Sequence, residues 1–386
     1  MPLAPQPELA ADVPVDLERV RHPQYGRYLD ECSPGQVFVH PRGYSFERAT
    51  MAAFARTYMQ ANPLYLNTDF AVAHGFVDLP ASPQMVFNVT LSLGVQNDSE
   101  KAIANLGYYD VQFLQPVYPG DTLHAYTKVL ERKERGADKP GIVRIRTVGV
   151  NQRHEIVLQY ERKIMVGPRG DRLPTTPAPD QPTAFPWEQQ PAIDLPLTDA
   201  PFPAELTGPN TYWEDYSPGD VIVHANGRTI TEEHMALTYA VGNSHPLHFD
   251  RVFSSGLAGK MSGEPIVYGG LVFAWLDGLA SRDVSENAVW ELGFTEGYHT
   301  QPAVAGDTVG ALSRVLASEP LAGSDALGIV TFQLIGVKNI SAAAALEVHG
   351  ADLFVKEDSK RQLGKEKISD KIFEIERRLL IKRRPA

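Results

Sequence analysis

The sequence predicts an α+β protein built from two similar units, each a long antiparallel sheet wrapped around one apolar helix. Three observations predict it. Five pairs of segments recur in the same order along the 386 residues. In each copy an apolar helical stretch is followed by segments that alternate apolar and polar residues, rich in β-branched side chains. A Pro-rich stretch, 167–210, separates the copies.

The pairs establish the duplication. RYLDECSPGQVFVHPRG (27–43) matches TYWEDYSPGDVIVHANG (211–227), and NPLYLNTDFAVAHG (62–75) matches HPLHFDRVFSSG (245–256). NLGYYDVQFLQPVYPGDTL (105–123) matches ELGFTEGYHTQPAVAGDTV (291–309), and RTVGVN (146–151) matches LIGVKN (334–339). Finally VLQYERKIMV (157–166) matches IFEIERRLLI (372–381). Spacing between partners is nearly constant up to Gly149/Gly336 and then widens, which places an insertion in the second copy at 340–370. The expected organisation is a first unit over 1–166, an extended linker over 167–210, where proline fixes φ and removes backbone donors, and a second unit over 211–386.

Within each copy the elements follow in order. A short strand and a Ser-Pro-Gly turn lead to a helix, FERATMAAFARTYM in the first copy and TEEHMALTYAVG in the second. Thr231, with Glu233 and His234 after it, reads as a helix start. Asp250 reads as an N-cap before RVFSSG rather than as a catalyst. The central helix is clearest at GGLVFAWLDGLASR (269–282), where Leu271, Ala274, Trp275 and Gly278 form one stripe. Strands follow: DTLHAYTKVLERK, GIVRIRTVGVNQ, GIVTFQLIGV and KIFEIERRLLIK. Gly120-Asp121 and Gly306-Asp307 occur in both copies and read as turns at strand starts. Joining two such sheets edge to edge would protect their edge strands.

Composition bounds the function. The chain is 43% hydrophobic with a net charge of −11, which argues against general binding to nucleic acid or a membrane surface. A few local cations remain enough for a phosphate-bearing ligand. The single cysteine, Cys32, allows no intramolecular disulfide and argues against a cysteine metal site. The start lacks the charged and apolar regions of a leader, and no later run reaches membrane-spanning length, so a soluble cytoplasmic protein is expected. No metal is expected. One chain already supplies a pseudo-dimer, and a further homodimer is compatible with the sequence.

GNSHPLHFD (242–250), PIVYGGL (265–271) and PAVAGDTV (302–309) together resemble the MaoC-like, or R-specific, enoyl-CoA hydratases. That family has the hotdog fold and the fingerprints G-D-x-N-P-L-H, P-I-[LV]-H-G and P-V-x-x-G-D-x. The resemblance covers the whole chain as a double hotdog. NLGYYDVQFLQPVYPGDTL, RTVGVNQR and VYGGLV look more narrowly like the mesaconyl-CoA hydratase (β-methylmalyl-CoA dehydratase) branch, which acts on a branched dicarboxylic acyl group. The resemblance implies a substrate that is a small acyl-CoA thioester, with coenzyme A as part of the substrate and no further cofactor.

Hydrating an α,β-unsaturated thioester requires a base for water, an acid for the α carbon and donors for the developing oxyanion. The resemblance places His248 as the acid–base residue; an isolated histidine is more often structural, but this one stands in the motif. Asn243 stands where the family has Asp, as the narrower branch does. It can hold water but not deprotonate it, or it simply ends the turn after the helix. Either His248 then performs both proton transfers or another carboxylate assists, with Glu264 as a candidate. Gly269 aligns with the family's oxyanion donor at the start of the central helix, where close packing also selects Gly. Tyr268, Gly270 and His245 are expected at the substrate, with a structural role as the alternative for His245. Tyr268 replaces the family's His, and His245 its Asn. His299, aligned with Phe113, has the pocket as its expected surroundings but no assigned role.

The first copy has Tyr65 where His248 stands in the second, so it is expected to be catalytically silent and to complete the pocket. Basic residues in 131–139 or 356–384 are candidates for the CoA phosphates, and Arg42 and Arg228 for a substrate carboxylate; a solvated charged surface is the alternative. The rival functions are a straight-chain hydratase, a thioesterase on the same fold and a non-catalytic acyl-CoA binder.

Overall fold

In the computed structural model, residues 13–176, 192–197, 206–257 and 263–385 are described. The first half runs β1 (Val37–Val39), β2 (Tyr44–Ser45), α1 (Arg48–Thr57), α2 (Thr68–Ala73), α3 (Pro83–Gly94), β3 (Ala102–Phe113), β4 (Thr122–Lys133), β5 (Gly141–Val150) and β6 (Ile156–Val166). The second runs β7 (Val221–Thr229), α4 (Glu232–Met235), α5 (Leu237–Ala240), α6 (Arg251–Ser255), α7 (Gly269–Val284), β8 (Ala288–His299), β9 (Thr308–Pro320), β10 (Leu327–Lys338), α8 (Ala342–His349), α9 (Glu357–Lys360) and β11 (Lys371–Lys382). Much of the linker predicted at 167–210 lies outside the described residues. Its described part docks on the first half: Thr176 N–H donates to Gln24 O and Asp194 N–H to Leu114 O.

All strands pair antiparallel in one sheet of eleven, ordered β1-β4-β5-β6-β3-β8-β11-β10-β9-β7, with β2 beside β4. The halves meet edge to edge at β3 and β8, with Tyr108 opposite Gly297 and Gln112 opposite Gly293. The seam explains the repeated Leu-Gly dipeptide. Gly107 and Gly293 have φ of +146° and +145°, and a Cβ on Gly293 would lie 1.8 Å from the Val111 carbonyl oxygen. Only glycine fits that backbone and that space.

The central helices α3 and α7 lie inside the curved sheet and touch each other. Every residue of α3 is buried, and so is most of α7. Their side chains join both sheets in a single apolar core that includes Phe87, Trp275, Phe294 and Phe373. The repeated Val-x-Val-His segments act as clamps. His40 bonds Thr127 at 2.7 Å beside Asp98, and His224 bonds Asp283 at 2.8 Å and Ser313 at 2.9 Å. Each ties its own sheet to the end of its central helix. TEEHMALTYAVG is divided into α4 and α5 at Ala236, which keeps right-handed helical angles. Thr231 starts it as predicted, its N–H donating to His234 Nδ1 at 2.9 Å. Asp250 caps α6 by accepting from Phe253 N–H at 3.0 Å. The inserted segment forms α8 and α9 over β9 and β10, burying Ala345, Leu353 and Phe354 against Leu312 and Ile335.

The contact between the halves makes Gly278 a sensitive probe. A Cβ there would come 1.6 Å from the Tyr58 carbonyl oxygen of the first half. Backbone cannot yield as a side-chain end can, so Gly278→Ala should destabilise the protein by about 3 kcal/mol. A denaturant midpoint close to that of the unaltered protein would show that the halves do not meet this closely.

Candidate active site

A cavity of about 270 Å³ opens between the halves. The second half supplies Asn243, His245, His248, Tyr268, Gly269 and His299, and the first supplies Ser99, Asn105, Tyr108 and Arg162. The 3-10 turn Pro246–His248 and the start of α7 place the second-half residues. Isoleucine, leucine and valine side chains complete the wall, and no Asp or Glu is among the lining residues.

His248 is fixed by its Nδ1, which bonds the Ile266 carbonyl at 3.0 Å. A carbonyl only accepts, so Nδ1 carries the proton and Nε2 keeps its lone pair for the cavity. Burial, with His245 beside it, holds the His248 pKa down at about 3, so the ring rests neutral. Asn243 is equally constrained. Its Oδ1 accepts from His245 N–H at 2.9 Å, which leaves the amide NH₂ as the group it can offer a ligand.

The side chain of His245 repeats a job done by Asn62 in the first half. Asn62 Oδ1 accepts from Leu64 N–H at 2.9 Å, and its Nδ2 donates to the Ala288 carbonyl at 2.8 Å across the halves. His245 Nδ1 accepts from Leu247 N–H at 3.2 Å, and Nε2 reaches the Ala102 carbonyl at 3.4 Å. One ring nitrogen accepts and the other donates, so imidazole substitutes for the amide. It caps the turn and also lines the cavity.

Gly269 and Gly270 are the first two residues of α7, where N–H groups have no intrahelical acceptor. They diverge in placement. Gly269 lines the cavity under His299, whose ring would lie 2.5 Å from a Cβ there. Gly270 does not line it: a Cβ would come 1.9 Å from Asn88 Oδ1, and its carbonyl accepts from Asn88 Nδ2 at 3.1 Å. The placement of Gly270 at the α3–α7 crossing, not at the substrate, follows from that contact. Tyr268 is buried on the cavity wall with its ring 5.4 Å from that of His248.

Other expectations are corrected by placement. Glu264 is 62% exposed and paired with Arg251 at 3.1 Å, outside the cavity. Arg228 bonds His234 Nε2 at 2.9 Å, and neither it nor Arg42 lines the cavity. Within 356–384, Lys356 pairs with Glu296 and Glu376, Arg383 with Glu214 and Arg384 with Asp215, and none of that segment's basic residues lines the cavity. Two cavity residues escaped a role in the sequence reading. His299 bonds the Tyr108 hydroxyl at 3.2 Å. Arg162 lies opposite Tyr108 on β6; its repeat with Arg377 was visible, but not the cavity it faces.

The equivalent place in the first copy is filled. Around Asn62 and Tyr65 only about 10 Å³ is free, and Arg377 there is buried in ion pairs with Asp277 and Glu291. Gln60 adds a bond to Asp277 at 3.1 Å.

Comparison with known proteins bears on this geometry. The family model described as mesaconyl-CoA hydratase matches residues 11–343. The chain is 32% identical to the beta-methylmalyl-CoA dehydratase of Chloroflexus aurantiacus, over 81% of this chain and 89% of that protein. It is 31% identical to the mesaconyl-CoA hydratase of Cereibacter sphaeroides, over 87% and 94% of the two chains. Among solved structures, a putative MaoC domain protein dehydratase from Chloroflexus aurantiacus superposes with a TM-score of 0.78 at 29% identity, covering 93% of this chain and 98% of that one. A Mycobacterium tuberculosis protein described as a double hotdog superposes at 0.69 with 21% identity, covering 92% and 98%. The fold is a double hotdog.

Burial depresses the pKa of His40, His245 and His299 to about 4 and of His74 and His248 to about 3. Between pH about 4 and 6.5 the unfolded chain binds these protons and the folded one does not. Their contribution to stability is therefore present above pH 6.5 and lost as pH falls. Each contributes up to about 1.4 kcal/mol per pH unit in that window. Thermal melts should fall steeply from pH 6.5 to 4.5; a flat Tm across that range would show the rings are accessible to protons in the folded state.

Proposed function

The chain belongs to the mesaconyl-CoA hydratase family, and on that premise we propose that it reversibly hydrates mesaconyl-C1-CoA (2-methylfumaryl-CoA) to β-methylmalyl-CoA. It is a hydro-lyase of the MaoC type, as its named relatives are hydratases and dehydratases. The observation that carries the reading is the convergence of His248, Asn243 and Gly269 on a cavity with no carboxylate in its lining.

Water is held between the Asn243 amide NH₂ and His248 Nε2. The imidazole removes a proton as the water oxygen bonds to the β carbon, and the double-bond electrons move toward the thioester. The carbonyl oxygen becomes an enolate oxygen, and the N–H of Gly269 donates to it, reinforced by the positive end of the α7 dipole. The imidazolium then returns the proton to the α carbon. One residue serves both transfers, which delivers the water's components to one face. Burial keeps the ring neutral when water arrives but weakens it as a base, and the negative charge developing on the enolate offsets this by stabilising the imidazolium. Hydrolysis of the thioester by carboxylate-activated water finds no Asp or Glu among the described residues lining the cavity.

The first half is proposed to be silent. Tyr65 replaces the proton-transfer residue, and the space beside it is occupied by Arg377, Asp277 and Glu291.

An assay following loss of the conjugated enoyl-thioester absorbance tests both statements. His248→Ala should lower kcat about 10³-fold with mesaconyl-C1-CoA, and Tyr65→Phe should stay within about twofold of the unaltered enzyme, since Tyr65 lies in the filled first-copy cleft and does not line the cavity. Unimpaired turnover by the His248 variant would remove this site assignment. Faster turnover of crotonyl-CoA than of mesaconyl-C1-CoA would keep the chemistry and change the substrate. Release of free thiol would point to a thioesterase instead.

A further inference from the structure

We propose that Arg162 anchors a free carboxylate on the acyl part of the substrate, so that the cavity selects dicarboxylic over monocarboxylic acyl groups. The inference rests on the hydratase reading above and names the feature of the substrate that the first half recognises.

Among the described residues lining the cavity, Arg162 is the only charged one, the histidines being held neutral. Its side chain is 4% exposed. Both of its bonds within the protein run through Nη2, to Asp98 Oδ1 at 3.2 Å and Ser99 Oγ at 3.1 Å. Its buried Nε has no acceptor. A guanidinium N–H without a partner, at such depth, is costly unless a ligand completes it. The phosphates of coenzyme A are unsuited to that depth, because they stay at the solvent end of the thioester. A carboxylate one or two carbons beyond the reacting double bond is suited to it.

The duplication supplies an internal picture of the bound state. Arg377 occupies the same register position in the second half: Arg162 pairs across the sheet with Tyr108, and Arg377 with Phe294, which align in the repeat. Arg377 has its Nε on a carboxylate, Glu291 Oε2 at 3.1 Å. Glu291 aligns with Asn105 in the first half. Asn105 is neutral and one methylene shorter, and its Oδ1 accepts weakly from Gly107 N–H at 3.4 Å, which leaves its NH₂ as a donor. Where the closed copy places Glu291 on the arginine, the open copy has Asn105, whose amide lies beside the Tyr108 hydroxyl on the open cavity wall. Asp277, the other partner of Arg377, stands where the first half has Leu91, at the same distance past the helix starts Pro83 and Gly269. The open copy has therefore lost both carboxylates that close the other one.

The test uses two unreactive saturated thioesters, succinyl-CoA and butyryl-CoA, as competitive inhibitors or in direct calorimetric binding. The unaltered enzyme should prefer succinyl-CoA. Arg162→Met should reduce that preference roughly tenfold to hundredfold, the range of a charge-assisted hydrogen bond. Because Arg162→Met also strips Asp98 of its partner, Asn105→Glu is the decisive second variant. It keeps Arg162 and copies a side chain that already folds in the other half, and it should abolish the preference by placing an internal carboxylate on Arg162. No preference in the unaltered enzyme, or equal weakening of both thioesters in the variants, overturns the proposal. Turnover is read separately: preference for succinyl-CoA without hydration of mesaconyl-C1-CoA would sink the hydratase reading and leave the carboxylate anchor standing.

Discussion

Each half of the molecule is locked to the other through one polar side chain that does two things at once. Asn62 and His245 accept from the turn they begin and donate to the first residue of the opposite half's seam strand. The bond across the halves is what brings each Pro-Leu turn against the wall of the other unit. It acts beside the Ser244 hydroxyl, which donates to Glu100 of the first half at 2.7 Å, and the Ile266 carbonyl, which fixes His248 itself. The seam glycines serve the same end, since β3 and β8 approach too closely for any side chain at Gly293. The cavity is thus a property of the joint, and its residues come from both units in fixed parts: the turn and helix start from one, the wall from the other.

That division was only partly legible in the sequence. The duplication, the central helices, the strand segments of each copy and the motif residues Asn243, His248 and Gly269 could be read from periodicity, repeats and a family resemblance, because each is carried by a local stretch of sequence. Gly270 was misjudged because its neighbour is Asn88, a contact across the helix crossing that no local pattern encodes. Arg162 was seen only as a repeat partner of Arg377. Its meaning lies in what surrounds it, Asp98 on one side and an open cavity on the other, and both are set by the pairing of strands far apart in sequence. Spacing likewise says nothing of the acidic partners that Lys356, Arg383 and Arg384 meet.

The substitution of His for Asn at position 245 shows how a departure from a fingerprint can preserve its physics. The position needs one acceptor toward a backbone N–H and one donor toward a carbonyl. A carboxylate would lack the donor and a lysine the acceptor. Asparagine and neutral histidine both satisfy it, and burial keeps the histidine neutral. The same burial keeps His248 and His299 uncharged, so the electrostatic character of the cavity is left to Arg162 and to oriented dipoles.

Fusion of the two units is what allows the two clefts to differ. In an assembly of identical hotdogs every cleft carries the same turn and the same wall, so closing one closes all. Here the first unit's turn faces the second unit's wall, and the reverse holds for the other cleft. In the cleft where Tyr65 stands, the wall opposite is filled. It now holds Arg377 between Asp277 and Glu291, a buried ionic cluster of the kind that costs about 3–5 kcal/mol to break by removing one partner. The opposite wall, facing His248, is open and has Asn105 and Leu91 in the corresponding places. The two walls have thus diverged by the charge they carry, one completed from within the chain and the other left to be completed by what binds.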